Sequence, residues 1–326
     1  MLKPRNVQLS NRIQKLRNCA RSSARVYASN LNRIHRDFQS GPMPSGLQWL
    51  ATNSSSILKK IKAIENMNTQ RNLLAAALVG LDLANQSSKR EPFIKQISVL
   101  NKAKEEQARS GDLTPKQQEK FIAWKEILRL RRLLDRTVRV GHYYRRKALK
   151  REFNTMQQAL VLHLYTQMPP VRNDWSTVQF LTESEWDAEP KASKQANNLL
   201  VMARGGYRIY WADYKTVKKH GVLMDVIPKA LTTVLRRHIK YLKQHFPENN
   251  HLLLNANGAP MSRNALTKFM QRLFMKHFRK KISTSALRSI FLSHKFDKSQ
   301  LEEQRTIAKQ MHHTPAVARD FYVKKT

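Results

Sequence analysis

Between residues 22 and 38 the apolar side chains Tyr27, Leu31, Ile34 and Phe38 recur at intervals of four, three and four, while Arg25, Arg33 and Arg36 occupy other faces. A period near 3.6 predicts an amphipathic helix with a basic outer surface. A Gly/Pro/Ser break at 40–46 ends it, and two further helical stretches follow at about 47–64 and 69–85, the first carrying Lys59, Lys60 and Lys62. Residues 101–118 turn polar and are punctuated by Gly111 and Pro115, which makes them the best linker candidate. Helical sequence rich in Arg and Lys occupies 119–168 and must stop at Pro169–Pro170, because proline lacks the N–H a helix needs and disfavours helical backbone in the residue before it. The period then shortens. Residues 207–216 are aromatic and loosely alternating, 222–227 are apolar, and Gly221 lies between them to turn the chain, so a hairpin is expected. Helices resume at 229–246, 262–278, 284–296 and 299–311, with Leu266, Phe269, Leu273 and Phe274 forming one buried stripe.

This order predicts a mainly α protein with a small antiparallel β-sheet, divided into a helical domain over 1–105, a linker over 106–118 and an α+β domain over 119–326. With 326 residues, 41 % of them hydrophobic and only 9 glycines, the chain has enough apolar material for two genuine cores. No internal repeat is evident.

Charge narrows the partner. Sixty Lys+Arg face 23 Asp+Glu, for a net charge of +37, and the excess is shared: 19 basic and 6 acidic residues in 1–110, 41 and 17 in 111–326. A basic tail attached to a neutral enzyme is therefore excluded. A surface this cationic fits a polyanion, and duplex DNA carries one charge per ~1.7 Å of its axis. The longest apolar run, Leu73 to Leu81, is far too short to span a bilayer, and the N-terminal residues lack the apolar core of a signal peptide. Cys19 is the only cysteine, which removes disulfides and cysteine-based zinc sites. The reading is an intracellular protein, without membrane attachment, located wherever its DNA lies.

Five positions stand out chemically. Arg172 follows two prolines just past a helix end, a place where a plain surface arginine is also common. Lys215 is placed where a strand enters its hairpin turn, with Lys218 and Lys219 equally available. Arg288 lies on an otherwise apolar helix beside Leu287, Ile290 and Phe291, and a buried arginine is expensive unless an anion meets it. Near the end of the sequence Thr314 is a good helix cap and Pro315 a good first helical residue, so Tyr322 falls about two turns into a last helix with His313 just ahead of it.

The order Arg, Lys, Arg, His, Tyr resembles the tyrosine recombinase (phage integrase) family, with YTQMPPVRNDW matching the first arginine box, DYKT the hairpin lysine, ALRSIFLSH the second arginine box and MHHTPAVARDFY the histidine–tyrosine box. The PPVRNDW form looks more like integrases of eukaryotic DNA viruses and related mobile elements than bacterial ones, which would put the protein in the host nucleus. The resemblance spans essentially the whole chain and implies a core-DNA-binding domain followed by the catalytic domain. It implies a site-specific recombinase or integrase that cleaves and rejoins double-stranded DNA through a covalent 3′-phosphotyrosine, as a homo-oligomer, a tetramer, assembled on DNA and without cofactor, ATP or metal. Tyr322 would be the nucleophile, Arg172, Arg288 and His313 the phosphate ligands and Lys215 the general acid. Arg25, Arg33, Arg36, Lys59, Lys60, Lys62, Lys218 and Lys219 would contact DNA.

Two positions depart from the pattern. The family's histidine three residues before the second arginine is Ser285, read here as the cap of the helix presenting Arg288 or as a weaker phosphate donor, its lost role passing to a group such as His294 or His312. The family's acidic residue three after the first arginine is Trp175, with Asp174 adjacent. Two other functions stay open: a catalytically degenerate DNA-binding protein derived from a recombinase, and a type IB topoisomerase. A metal-dependent hydrolase is disfavoured, since there is no HExxH, no carboxylate cluster at two-metal spacing, and the tandem His312–His313 cannot point one way on a helix.

Overall fold

The computed structural model describes the backbone of residues 4–310, and its chain separates into two compact units after Asp112. The first unit is helical: α1 (Pro4–Arg17), α2 (Arg21–Phe38), α3 (Gln48–Thr52), α4 (Ser54–Lys62), α5 (Met67–Leu83) and α6 (Glu91–Ser110). Its core forms around α5, the helix with the long apolar run, whose Leu73, Leu74, Ala76, Ala77 and Leu81 are buried. On α2 the expected stripe is present, Leu31 and Ile34 fully buried and Tyr27 and Phe38 packed at the core's margin. Gly80 lets α5 approach closely, for a Cβ there would lie 2.7 Å from side-chain carbons of both Leu31 and Leu50. Asn66 caps α5 by accepting from the Thr69 N–H at 3.0 Å.

Most of the stretch read as a linker is helix. Residues 101–110 are the second half of α6, which ends where Gly111 takes the left-handed conformation at φ 73° that glycine adopts without Cβ strain. Thr114 and Gln117 then form a capping box for the short α7 (Pro115–Gln118). Polarity suggests a linker here, but polarity alone does not exclude a helix.

In the second unit α8 (Trp124–Val140) lays Ile127, Leu130, Leu134 and Val138 against α9 (Lys150–Thr166), which is buried nearly along its length. As expected, α9 stops short of Pro169–Pro170. A four-stranded sheet follows in the order β1 (Gln179–Thr182), β2 (Leu199–Ala203), β3 (Gly206–Trp211), β4 (Leu223–Val226). The hairpin partners β3 and β4 are antiparallel, as are β2 and β3, but β1 runs parallel to β2. The sheet is thus mixed, and its first two strands carried no alternating pattern. Strand β1 has only four residues, and β2 is a continuous apolar run that is buried on both faces and has no period to tell it from a buried helix segment. The parallel step is made possible by a crossover through α10 (Glu183–Ala188) and α11 (Lys191–Ala196).

Between β3 and β4 the chain forms the single-turn α12 (Val217–His220), and among the described residues four helices follow the sheet: α13 (Lys229–His245), α14 (Arg263–Phe278), α15 (Thr284–Lys295) and α16 (Lys298–Gln310). The stripe Leu266, Phe269, Leu273 and Phe274 on α14 is buried as its spacing requires. Among the described residues no helix is long and apolar enough to cross a membrane.

Candidate active site

Beyond the end of α9 the chain carries Arg172 in a short loop before the turn Asp174–Thr177. Three groups fix this loop. The phenol of Tyr165, fully buried on α9, donates to the Arg172 carbonyl at 2.5 Å, and burial pushes its pKa well above the usual tyrosine range, so the O–H remains a donor. The Asp174 carboxylate accepts the Arg172 backbone N–H; burial raises its pKa, against the opposing influence of Arg263 and Arg172. The Asn173 amide bridges two helices, accepting from Thr284 Oγ1 on α15 at 2.7 Å and donating to Thr267 Oγ1 on α14 at 2.7 Å. The Arg172 side chain itself is exposed.

Helix α15 brings the second arginine to this loop. Arg288 is half-buried and its Nε donates to the Pro170 carbonyl at 3.1 Å, two residues before Arg172. That bond uses one of the five N–H donors of the guanidinium. Ser285 does not cap the helix. Ser283 does, its Oγ accepting the Ala286 N–H at 3.3 Å, while Ser285 is exposed in the first turn. The sequence offers Ser283, Thr284 and Ser285 in a row, and only the backbone path selects which of them has the extended conformation a cap requires. His294, considered as a stand-in for the missing histidine, stacks on Trp124 with ring centroids 6.0 Å apart.

Lys215 is displaced from its expected position. Strand β3 ends at Trp211, so Lys215 stands in a turn beyond the ladder, and Lys218 and Lys219 lie on α12. All three lysines are exposed. The chain leaves the ladder because Asn198 captures it: Asn198 Oδ1 accepts the N–H groups of Ala212 at 3.0 Å and Asp213 at 2.9 Å. Gly221, at φ 69°, closes the turn, and the Tyr214 hydroxyl donates to its carbonyl at 2.6 Å.

Two residues that sequence reasoning missed tie these segments together. Asn198 is fully buried, and its Nδ2 reaches Asp213 O at 2.9 Å, Thr177 Oγ1 at 3.1 Å and Asp174 O at 3.2 Å. Arg263, at the start of α14, donates from Nη2 to Asp213 O at 2.6 Å, and pairs with Asp213 Oδ2 at 3.1 Å and Asp174 Oδ1 at 3.5 Å. Its charge offsets the two carboxylates nearest the Arg172 loop. Neither carries a sequence signal, because their partners lie 14 to 89 positions away and only folding reveals them. The structure therefore brings the Arg172 loop, the Arg288 helix and the Lys215 turn into one hydrogen-bonded neighbourhood. His312, His313 and Tyr322 lie outside the described residues, as do the expected cap Thr314 and Pro315.

In the first unit Arg25, Arg33 and Arg36 are exposed on α2 and Lys59, Lys60 and Lys62 on α4. Arg33 and Arg36 flank Asp37 at 3.1 and 2.8 Å, with Arg36 chiefly holding that carboxyl below its usual range, so part of their charge is offset. Lys60 Nζ donates to the Phe38 carbonyl at 2.9 Å, linking the C-terminal end of α2 to α4. Among the described residues no cluster of His, Cys, Asp or Glu is arranged to hold a metal ion.

No protein-family model matches the sequence, and no curated protein matches it either. Among solved structures, the XerH site-specific recombinase bound to its difH substrate in a pre-cleavage complex aligns over 98 % of this chain and 81 % of its own, at a TM-score of 0.50 and 14 % identity. The fold resembles that of tyrosine recombinases. The XerA recombinase aligns over 98 % of this chain and 93 % of its own, but at a TM-score of 0.31 and 10 % identity, too low to carry weight.

Proposed function

We propose that this chain is a site-specific DNA recombinase of the tyrosine type, acting on double-stranded DNA as an oligomer assembled on its substrate. The observation that carries the reading is the convergence of Arg172, Arg288 and the Lys215 turn within a fold of this kind. The Tyr322 oxygen forms a bond to the phosphorus of a phosphodiester as its phenolic proton leaves to solvent, and the bond from phosphorus to the 5′-oxygen breaks. Arg172 and Arg288 each supply paired N–H donors to the non-bridging oxygens, which gain charge in the transition state, a planar match no lysine provides. His313 adds a further donor. Lys215 protonates the departing 5′-oxygen, which is otherwise a poor leaving group. The product is a 3′-phosphotyrosine, and attack by a 5′-hydroxyl of another strand reverses the step and returns the proton. The PPVRNDW segment supports an origin in eukaryotic viral or related mobile DNA.

The test is incubation with the terminal DNA of the chain's own element, followed by denaturing electrophoresis. A covalent protein–DNA adduct that disappears in Tyr322→Phe while DNA binding persists is the expected result, and it should form in excess EDTA. An adduct retained by Tyr322→Phe would assign the nucleophile elsewhere. The absence of any adduct with the unmodified protein would favour the degenerate DNA-binding reading, for which Ser285 in place of a histidine is the specific motive. Relaxation of a supercoiled plasmid without a specific site would favour the topoisomerase.

A further inference from the structure

The turn that carries the three candidate general acids, residues 212–221, leaves the sheet and exposes all three lysines, yet a general acid must be held within hydrogen-bond reach of one oxygen. Something must therefore set that turn's position relative to the Arg172 loop, and backbone pairing does not, because the ladder ends at Trp211. Asn198 meets the requirement from below. It is buried at 0 % exposure, with its carbonyl oxygen bound to the N–H groups of Ala212 and Asp213 and its amide nitrogen near one carbonyl of each segment, Asp213 O and Asp174 O. Its own backbone carbonyl accepts the Gln179 N–H at 3.0 Å, which anchors it between β1 and β2. Arg263 meets it from the side, holding the same Asp213 carbonyl and bridging the carboxylates of Asp213 and Asp174.

From this arrangement we infer that Asn198 and Arg263 are positioning residues that lock the lysine-bearing turn to the Arg172 loop, so that proton donor and phosphate ligand act on the same phosphodiester. The inference rests on the recombinase reading for its chemistry, but the clasp itself is a statement about two segments of the chain. Asn198 acts through both halves of its amide. Aspartate at 198 keeps the acceptor and the volume while turning an oxygen toward three oxygen atoms. Arg263 acts through one nitrogen, Nη2, which reaches the Asp213 carbonyl and both carboxylates, and methionine keeps the apolar stem while removing that donor and its charge.

Single-turnover cleavage separates misplacement of the acid from general damage. A substrate with sulfur at the 5′-bridging position has a leaving group that needs no proton, so the ratio of sulfur to oxygen rates reports on the acid alone and is independent of how much protein is folded. We expect Asn198→Asp and Arg263→Met each to raise that ratio roughly tenfold or more, a part of the ~10²–10⁴-fold that general acid catalysis supplies. A second readout needs no activity. Tryptic cutting after Lys215, Lys218 and Lys219 should rise at least about tenfold relative to cutting after Arg204, which lies in the separate turn between β2 and β3 and serves as internal control. A ratio equal to that of the native protein in both variants, or loss on both substrates alike, overturns the clasp. Should Asn198→Asp fail to fold, Arg263→Met, at a half-exposed position, decides. Should Lys215→Ala leave the sulfur-to-oxygen ratio unchanged while both clasp variants raise it, the Lys215 assignment falls and the clasp stands. If the native protein cleaves no DNA, the recombinase reading fails and the tryptic ratio alone decides the clasp.

Discussion

Tyr165→Phe isolates the support beneath the first arginine. The substitution removes one oxygen and nothing else, and the Arg172 carbonyl loses the donor that approaches it at 2.5 Å. The phenol is fully buried, so bulk solvent does not reach the carbonyl to replace the bond. Leaving a buried acceptor unpaired costs about 1–3 kcal/mol. For a domain of roughly 200 residues each kcal/mol moves Tm by about 2–4 °C, so the second unit should melt about 2–12 °C lower, measured by calorimetry or near-ultraviolet circular dichroism. Alkaline pH gives a second handle. A tyrosine whose folded pKa is raised keeps its proton when the unfolded chain has lost it, so stability falls as pH rises above the ordinary tyrosine value near 10, by at most about 1.4 kcal/mol per pH unit per group. Tyr165→Phe should make that fall shallower, while Tyr144, also raised by burial, still contributes. Arg172→Ala should show the opposite profile, since an exposed side chain changes stability by about 0.5 kcal/mol or less, whereas loss of a transition-state donor lowers single-turnover cleavage by about 10²–10³-fold. An unchanged Tm and an unchanged alkaline slope in Tyr165→Phe would refute the idea that this hydroxyl holds the arginine loop.

Other outcomes follow from the same geometry. Ser285→Ala should slow cleavage far less than Arg288→Ala, because Ser283 is the cap and Ser285 is exposed; equal losses in single-turnover assays would make the Ser285 hydroxyl a direct phosphate ligand. His238 is fully buried beside Tyr144, and burial pushes its pKa down to about 4 from 6.5, so the unfolded chain binds the extra proton first and stability should fall as pH drops from about 6.5 toward 4. In His238→Phe, urea titrations across that range should show a flatter dependence, and an identical pH profile would exclude His238 as its source. DNA affinity of the full chain should decline steeply with salt as counterion release is lost, and Lys59→Ala or Lys62→Ala should each lower the logarithmic slope by about 1. A flat salt profile in filter binding or anisotropy would argue against phosphate contacts by these lysines.

The sequence by itself determined the helices and the hairpin that carry most of the fold, because those elements obey local periodicities. The stripes on α2 and α14 lie where their spacing puts them, and α9 stops before its two prolines, since proline blocks helix geometry whatever surrounds it. Residue order alone also singled out Arg172 and Arg288, which the structure joins to one loop. Several features were decided only by the tertiary fold. Strands β1 and β2 are recognisable only through their pairing, as four residues and an apolar run have no period of their own to reveal a strand. The cap of α15 passed from Ser285 to Ser283 because capping depends on the φ/ψ of one residue among three equivalent hydroxyls. Lys215 left the strand because Asn198, distant in sequence, competes for the backbone of Ala212 and Asp213. Asn198 and Arg263 were invisible for the same reason. A buried hydrogen-bond hub is defined by its partners, and those partners come within reach only once the chain has folded around them.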